Sequence, residues 1–227
     1  MNIKYIARSS IGTRPSQEDT VHIAGMSIQA EAASLSGRVA GGLFAVFDGA
    51  GGELHGAAAS KAAAGASGKR LPPPTLDDIN ITVKNTGGFT TMAGAFFGDD
   101  SEAFLYCIGD SRIYIAGQEH FQCLTIDQTT CMSAVKAGLI SNDEARALHP
   151  PLLYALGGTI DAEESVFPFS VELGDKFLLC TDGVWECMDS SLTWSRTPSL
   201  EEIDKLLTTC ISKAEDDNHS YILLEVV

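Results

Sequence analysis

The sequence predicts an α+β fold in which sheets are layered with helices. Short apolar runs that contain β-branched or aromatic residues predict buried strands at residues 43–47, 103–108, 113–116, 177–181 and 221–227. Three of these runs are continuously apolar, so we expect both faces of their sheets to be covered. The strands are paired first by a hairpin and the helices come later, a pattern that favours layered sheets over a βαβ series.

Helices are predicted by composition and by capping sequences. Residues 53–66 are rich in alanine, the strongest helix former. Residues 141–144 and 199–202 have the Ser-x-x-Glu spacing of a capping box, in which Ser and Glu satisfy each other's backbone donors. We expect helices to follow them and to end at about His149 and about Ala214.

The length of 227 residues predicts a single domain over residues 1–227, in which segment 68–88, with its three consecutive prolines, forms a loop with at most one short element. The chain is 44% hydrophobic and 20% charged, as ordinary globular proteins are. No apolar run approaches the roughly 20 residues that span a bilayer, and the N-terminus lacks the layout of a secretory signal peptide. We therefore expect a cytoplasmic protein whose six scattered cysteines are buried thiols rather than disulfides or zinc ligands.

The net charge of −15 bears on which partners the protein can bind. Sequence-independent binding to nucleic acid needs a basic surface, so the charge argues against nucleic acid and equally against an anionic membrane. One explanation of the charge is a soluble acidic surface. The other is that some carboxylates converge to hold divalent cations, and the positions of the aspartates must decide between the two.

Aspartates fall at the ends of the predicted strands. Asp48 and Asp182 directly follow strands, and Asp217 comes shortly before the last one. In an antiparallel pair, the end of one strand and the start of its neighbour share an edge of the sheet. We therefore expect Asp48, Asp182 and Asp217 to lie together at one edge, with Asp19 beside them.

Carboxylates gathered in this way would repel each other and raise each other's pKa values. Hard divalent cations remove the conflict, and oxygen-only ligands favour Mg²⁺ or Mn²⁺ over zinc. Glycines beside Asp48 and Asp182 let the backbone bend tightly, so the carbonyl of Gly49 is a further candidate ligand. A single Asp-Gly pair is more often a plain turn, and the metal site is indicated by the joint placement of the aspartates.

Short motifs follow one another along almost the whole chain. The main ones are GTRPSQED at residues 12–19, DGAGG at 48–52, GDSR at 109–112, TDG at 181–183 and DN at 217–218, with further matches at 124–127, 138–141 and 155–157. In this order they resemble the motifs of the metal-dependent protein phosphatase family, the type 2C serine/threonine phosphatases. The resemblance implies a four-layer α-β-β-α sandwich with two central, mainly antiparallel sheets and a two-metal centre at one end.

The resemblance also implies which residues would hold metal. They are Glu18, Asp19, Asp48, Gly49, Asp110, Asp182 and Asp217. Glu18 would orient a coordinated water, and Gly49 would contribute its carbonyl. Asp110, together with Asp182, would help to bind a third, weaker metal.

The implied activity is hydrolysis of phosphoserine and phosphothreonine by a water that bridges two Mn²⁺ or Mg²⁺ ions. Arg14, Asp48 and Asp182 are the implied catalytic residues, with the planar guanidinium of Arg14 gripping the phosphate. A simpler role for Arg14 is a surface ion pair with Glu18 or Asp19. The implied partners are phosphoprotein substrates of a serine/threonine kinase, and we expect a monomer.

The chain departs from the family at Ala50, where many relatives have His or Met, so no side chain there can protonate the leaving group. We expect the nearby His55 to be a helix-surface residue, and residues 129–151 to form a flap beside the site that influences substrate choice. Two alternatives stay open. One is a non-catalytic pseudophosphatase that binds a partner through the same fold, and the other is a phosphatase that acts within a partner-switching pathway.

Overall fold

The computed structural model describes residues 1–51, 53–68, 75–98, 102–188, 192–212 and 216–227, without the side chains of residues 53 and 54. Gly52 of the DGAGG motif and Ala214, the expected end of the last helix, lie outside the described residues.

The strands occupy both halves of the chain. They are β1 (Ile3–Ser10), β2 (Thr20–Ile23), β3 (Met26–Ile28), β4 (Ala32–Val39), β5 (Gly42–Phe47), β6 (Gly49–Ala50), β7 (Phe89–Thr90), β8 (Met92–Phe97), β9 (Glu102–Ile108), β10 (Arg112–Ala116), β11 (Phe121–Cys123), β12 (Val166–Ser170), β13 (Lys176–Cys180) and β14 (His219–Val226). The five strands predicted from apolar runs are confirmed as β5, β9, β10, β13 and β14.

The helices lie between the groups of strands. They are α1 (Glu53–Ala66), α2 (Leu76–Lys84), α3 (Met132–Lys136), α4 (Asn142–Arg146), α5 (Ala162–Ser165), α6 (Asp182–Trp185) and α7 (Leu200–Ile211). Both predicted capping boxes form, at Ser141 and Ser199. The helix after Ser141 ends earlier than predicted, because His149 has a positive φ of 48° and a proline follows it.

Two six-stranded sheets form the centre of the described structure. The first runs in the order β11, β10, β13, β14, β1, β4, and the second in the order β12, β9, β8, β5, β2, β3. Neighbouring strands are antiparallel throughout. β6 and β7 form a separate short ladder. The first and last strands of the chain are neighbours, since β1 pairs with β14 along its full length.

Apolar side chains fill the three interfaces between four layers, so the fold is an α-β-β-α sandwich as predicted. Between the sheets, the Phe44, Phe97 and Phe177 rings meet edge to face at centroid distances of 5.9 and 6.0 Å. Helices α1 and α2 cover the second sheet through residues that include Ile79. Helices α6 and α7 cover the first sheet through residues that include Ile203.

Two sequence-based expectations have mixed outcomes. Cys107 and Cys180 are buried, but Cys123 is exposed, so the expectation of buried thiols is wrong for Cys123. The described part of segment 68–88 holds one element, the nine-residue helix α2, whose N-terminus is capped by Thr75. None of the helices in the described residues is both long and apolar enough to cross a bilayer.

Candidate metal centre

The two sheets each bring a pair of aspartates to the same end of the sandwich. In the second sheet, Asp19 precedes β2 and Asp48 follows β5, and these strands pair through Thr20 and Phe47. Because the strands are antiparallel, the start of one lies beside the end of the other, so the two aspartates are neighbours.

The first sheet repeats this arrangement. Asp182 opens α6 just after β13, and Asp217 precedes β14. Strands β13 and β14 pair as far as Cys180 and Tyr221, which places both aspartates at the same sheet edge. An antiparallel strand pair in each sheet therefore brings two aspartates together, and the packing of the two sheets brings both pairs to one end of the sandwich.

An acidic cavity of about 440 Å³ opens between these sheet edges. It is lined by Arg14, Pro15, Glu18, Asp48, Gly49, Ala50, Gly51, Thr91, Asp110, Leu152, Asp182, Asp217 and Asn218. Seven of the eight residues named as candidates from the sequence are among them. Larger cavities occur elsewhere on the molecule, but this is the one where the candidate residues meet.

The eighth candidate, Asp19, lies beneath the cavity and is fully buried. One of its oxygens, Oδ2, accepts a hydrogen bond of 3.0 Å from the Thr181 hydroxyl, whereas Oδ1 is buried without a hydrogen-bond partner. Burial, together with the charges of Asp182 and Asp217, raises the pKa of Asp19 to about 8. A buried carboxylate oxygen with no donor is a position that a cation would satisfy.

The cavity carboxylates raise each other's pKa values. Burial and the charges of Asp182, Asp19 and Asp110 raise the pKa of Asp48 well above its ordinary value. Burial and then the charge of Asp182 raise the pKa of Asp110 to about 7. Raised pKa values of this kind are expected where several carboxylates lie close together and no cation balances their charge.

The carboxylates are neighbours, but they do not form a preassembled cage. Within the described ranges, no group of three or more His, Cys, Asp or Glu side chains is clustered tightly enough to hold an ion as it stands. Nearby donors hold some of the oxygens instead. Arg14 contacts Asp217 at 2.6 Å, and the backbone N–H groups of Gly183 and Asn218 donate to Asp182 and Asp217, each at 2.7 Å.

Arg14 is placed at the mouth of the cavity. Its side chain is 54% exposed, and its ion pair is with Asp217 rather than with Glu18 or Asp19, the two partners considered from the sequence. The guanidinium thus faces both the carboxylates and solvent. A ligand that enters from solvent meets this positive charge before it reaches the aspartates.

Glycine is required where the DGAGG motif crosses helix α1. A Cβ atom at Gly49 would collide with the backbone carbonyl of Gly56 and with that of Glu18. The close approach places the Gly49 backbone at the wall of the cavity. Ala50 brings no ionisable group to the cavity, and His55 is turned away, its Nδ1 lying 3.2 Å from the Thr86 carbonyl.

Several positioning residues were missed in the sequence. The buried Asn218 side chain accepts from the Glu18 N–H at 2.7 Å and donates to the carbonyls of Ile11 and Ser16 at 2.9 and 3.0 Å. It therefore holds the loop that carries Arg14, Glu18 and Asp19. The only sequence indication was the DN pair itself, which names the residue without naming its partners.

Hydroxyl groups hold the Asp48 turn in the same way. Thr90 Oγ1 donates to the Asp48 carbonyl at 2.7 Å, and the Asp48 N–H donates to Thr91 Oγ1 at 3.1 Å. Thr91 in turn shares a 2.7 Å hydrogen bond with Ser111 of the GDSR hairpin. Threonines in a strand are common, so composition alone did not single them out.

Residues 129–151 form the segment expected to be a flap, and they contain helices α3 and α4. The two ends of the segment meet, because the Thr130 N–H donates to the Pro151 carbonyl at 3.0 Å and Thr129 bridges to Leu152. Leu152 lines the acidic cavity. The base of the flap is therefore beside the site.

Named relatives share part of this sequence. The chain is 32% identical over 146 residues to the serine/threonine phosphatase Stp of Listeria innocua, a match that covers 60% of this chain and 56% of that protein. It is 26% identical over 242 residues to the serine/threonine protein phosphatase PstP of Mycobacterium tuberculosis, covering 99% of this chain and 45% of that protein. The chain thus spans about half the length of the curated relatives it matches. No family model matches it.

Solved structures share the whole fold. The M. tuberculosis phosphatase PstP/Ppp aligns with a TM-score of 0.74 at 22% identity, covering 100% of this chain and 99% of that chain. Stp1 of Staphylococcus aureus aligns with a TM-score of 0.75 at 19% identity, covering 99% and 94%. The PstP catalytic domain in complex with two manganese ions aligns at 0.73 and 23% identity, covering 100% and 99%. At these identities the likeness establishes the fold.

Proposed function

From the similarity of its sequence and fold to serine/threonine phosphatases, we infer that this chain is a metal-dependent protein phosphatase that hydrolyses phosphoserine and phosphothreonine in proteins. The observation that carries the proposal is the convergence of Asp19 and Asp48 from one sheet with Asp182 and Asp217 from the other, at a cavity with Arg14 at its mouth. A plain acidic surface would not gather partly buried carboxylates against their own repulsion.

The donor set fits two divalent cations. Asp19, Asp48, Asp182 and Asp217 would hold them with the Gly49 carbonyl, and the unpartnered Asp19 Oδ1 is the clearest place for a cation. The donors are all oxygens, which suits Mn²⁺ or Mg²⁺. When bound, the cations would supply an activated water and neutralise charge on the phosphoryl oxygens.

The other cavity residues have distinct roles in the proposal. Glu18 would orient a water at the cavity floor, where its backbone is fixed by Asn218. Arg14 would bind two phosphoryl oxygens with its planar guanidinium, exchanging its partner Asp217 for the substrate. Asp110, with Asp182, would help to hold a third, weaker cation. Ala50 offers no proton for the leaving group.

The partners follow from the reaction. Phosphoproteins are the substrates, and we propose that a serine/threonine kinase produces them. The placement of Leu152 at the cavity supports a role for the flap in substrate choice. A single domain, a cytoplasmic location and a monomeric state stay predictions.

The test is hydrolysis of p-nitrophenyl phosphate and of a phosphothreonine peptide, with Mn²⁺ or Mg²⁺ and with EDTA. We expect metal-dependent turnover that EDTA abolishes. Asp182→Ala should lower kcat by roughly a thousandfold, because loss of a metal-holding carboxylate exceeds the 10–100-fold effect typical of residues behind the ligands.

Asp77→Ala is the matched control, since it removes an exposed aspartate in the first turn of α2. It should leave the rate unchanged. A folded wild-type protein that hydrolyses neither substrate with either metal would instead favour the non-catalytic partner-binding alternative.

A further inference from the structure

The chain has two tryptophans, and one of them, Trp185, lies in the same helix as Asp182 and is hydrogen-bonded to Asp110. It lies one turn after Asp182 in α6 and is only 4% exposed. Its indole Nε1–H donates to the backbone carbonyl of Asp110 at 2.9 Å. A single side chain therefore links the helix that presents Asp182 to the turn that presents Asp110.

Arg112 fixes the Trp185 ring from the body of the protein. Its guanidinium carbon is 3.6 Å from the ring centroid, and its Nε and Nη2 donate to the two oxygens of Asp127 at 2.8 and 2.7 Å. The Arg112 side chain is 5% exposed. A buried bidentate pair of this kind has one geometry, so it orients the ring that it contacts.

The flap reaches the same ring. Arg146 lies on α4, and its guanidinium carbon is 4.8 Å from the Trp185 centroid. Its Nε also donates to Glu186, the residue after Trp185, at 3.2 Å. The ring is thus in contact with a fixed cation of the body and a cation of the flap.

We propose that Trp185 is a positioning residue that holds Asp110 beside Asp182 and links their placement to the docking of the flap through Arg146. This inference rests on the proposed function, because the two carboxylates are those assigned to the third cation. Packing alone would need only an apolar ring, whereas this position supplies a directed donor to the carbonyl of a candidate metal-binding residue.

The second tryptophan provides a matched control. Trp194 also donates its Nε1–H to a backbone carbonyl, that of Gly117 at 3.1 Å, and its ring packs against Phe121. Its acceptor, Gly117, is not among the residues that line the acidic cavity, whereas Asp110, the acceptor of Trp185, is. Trp194→Phe therefore removes the same chemistry from a place that the inference does not involve.

Fluorescence gives a readout that needs no turnover. Trp194→Phe leaves Trp185 as the only emitting indole, and we expect Mn²⁺ to quench it saturably, since the ion would bind next to its hydrogen-bond acceptor. In Trp185→Phe, the remaining Trp194 should show no saturable change. The melting temperature of each variant is measured to confirm that it is folded.

Kinetics then separates positioning from packing. Trp185→Phe keeps the ring but loses the donor, and we expect it to raise the Mn²⁺ concentration for half-maximal hydrolysis about tenfold. Trp194→Phe should not change that concentration. Arg146→Gln should also raise it in the wild type, but it should have no further effect in Trp185→Phe, because Arg146 reaches Asp110 only through the indole N–H that this variant lacks.

Two results would overturn the inference. If the wild type hydrolyses phosphopeptide and Trp185→Phe has the same half-saturating Mn²⁺, positioning by Trp185 fails while the phosphatase assignment stands. If the wild type neither hydrolyses phosphopeptide nor shows Mn²⁺ quenching of Trp185, both the assignment and the inference fail.

Discussion

Asn218 holds the loop of Arg14, Glu18 and Asp19 in place through three hydrogen bonds made by one buried amide. The amide is suited to this role because it offers an acceptor and two donors in a fixed plane. A carboxylate at the same position could accept from the Glu18 N–H but would face two carbonyls with no donor. The two residues before β14 therefore have different roles: Asp217 lines the cavity, and the Asn218 amide holds the loop.

Asn218→Ala should lower the free energy of unfolding by about 3 kcal/mol, because it removes three partly buried hydrogen bonds to the backbone. It should also lower kcat/KM for a phosphopeptide, since Arg14 is no longer held at the cavity. Urea unfolding and steady-state kinetics measure the two effects.

Asn85→Ala is the control, because Asn85 is exposed and donates only one hydrogen bond, to Ile81. Its effect on unfolding should stay below about 1 kcal/mol. Equal destabilisation by the two substitutions would contradict the clamp.

Helix α7 is attached to the first sheet by charged groups as well as by its apolar face. Arg8 of β1 donates from two nitrogens to the two Asp204 oxygens, each at 2.6 Å, and the Tyr221 hydroxyl of β14 donates to Asp204 Oδ1 at 2.7 Å. The Asp204 side chain is 13% exposed. One carboxylate thus fixes the helix against two adjacent strands.

Asp204→Asn should destabilise the fold by about 2 kcal/mol, because the amide cannot accept from both Arg8 nitrogens and Tyr221 together. The effect is no larger because Arg8 keeps some access to solvent. Glu201→Gln, in the same helix, removes an exposed pair with Lys4 and should cost no more than about 0.5 kcal/mol. Chemical denaturation compares them, and a smaller effect at Asp204 than at Glu201 would show that the apolar face alone holds α7.

Among the strands, apolar runs in the sequence predicted best those that are buried on both faces. The run at β5 is apolar throughout because helices cover one face of its sheet and the other sheet covers the second. β8 was missed because Met92–Phe97 contains alanine and glycine, which have weak strand preference. β4 was missed because it is an edge strand, half-exposed along its length, in which small polar and apolar residues alternate.

The sequence predicted which residues lie close to the site better than it predicted how deeply each one is buried. Antiparallel pairing brings Asp182 beside Asp217 in one sheet and Asp48 beside Asp19 in the other, since it depends only on where strands begin and end. That these two pairs meet depends on how the sheets pack. That Asp19 would lie beneath the cavity rather than in its wall depends on how the two sheets pack, which no local pattern encodes. The same holds for Asn218, whose partners are 200 or more residues away.

Carboxylates repel one another where the two sheets of the molecule meet. Two carboxylates from each sheet face one another, and their mutual repulsion opposes the packing that gathers them. A cation held between them would stabilise the folded state in proportion to its binding. The melting temperature should therefore depend on metal.

We expect saturating Mn²⁺ to raise the melting temperature of the wild type by about 5 °C or more, and EDTA to reverse the rise. Asp48→Asn should melt higher than the wild type without metal, because it removes one repelling charge, and it should lose most of the response to Mn²⁺. Differential scanning fluorimetry measures both. An undiminished Mn²⁺ response in Asp48→Asn would exclude Asp48 as a ligand.

The pairing of β1 with β14 has a consequence for the synthesis of the chain. Ser9 and Ser220 are hydrogen-bonded across this pair, although 211 residues separate them. At about 5–20 residues per second, β1 leaves the ribosome roughly 10–40 s before its partner exists. Because Asp217 lies just ahead of β14, separated from it by Asn218, the last candidate ligand is synthesised together with the strand that completes the sheet. A nascent chain that lacks this strand would have neither the complete sheet nor the complete set of candidate ligands, so the proposed activity could begin only after the last strand is synthesised.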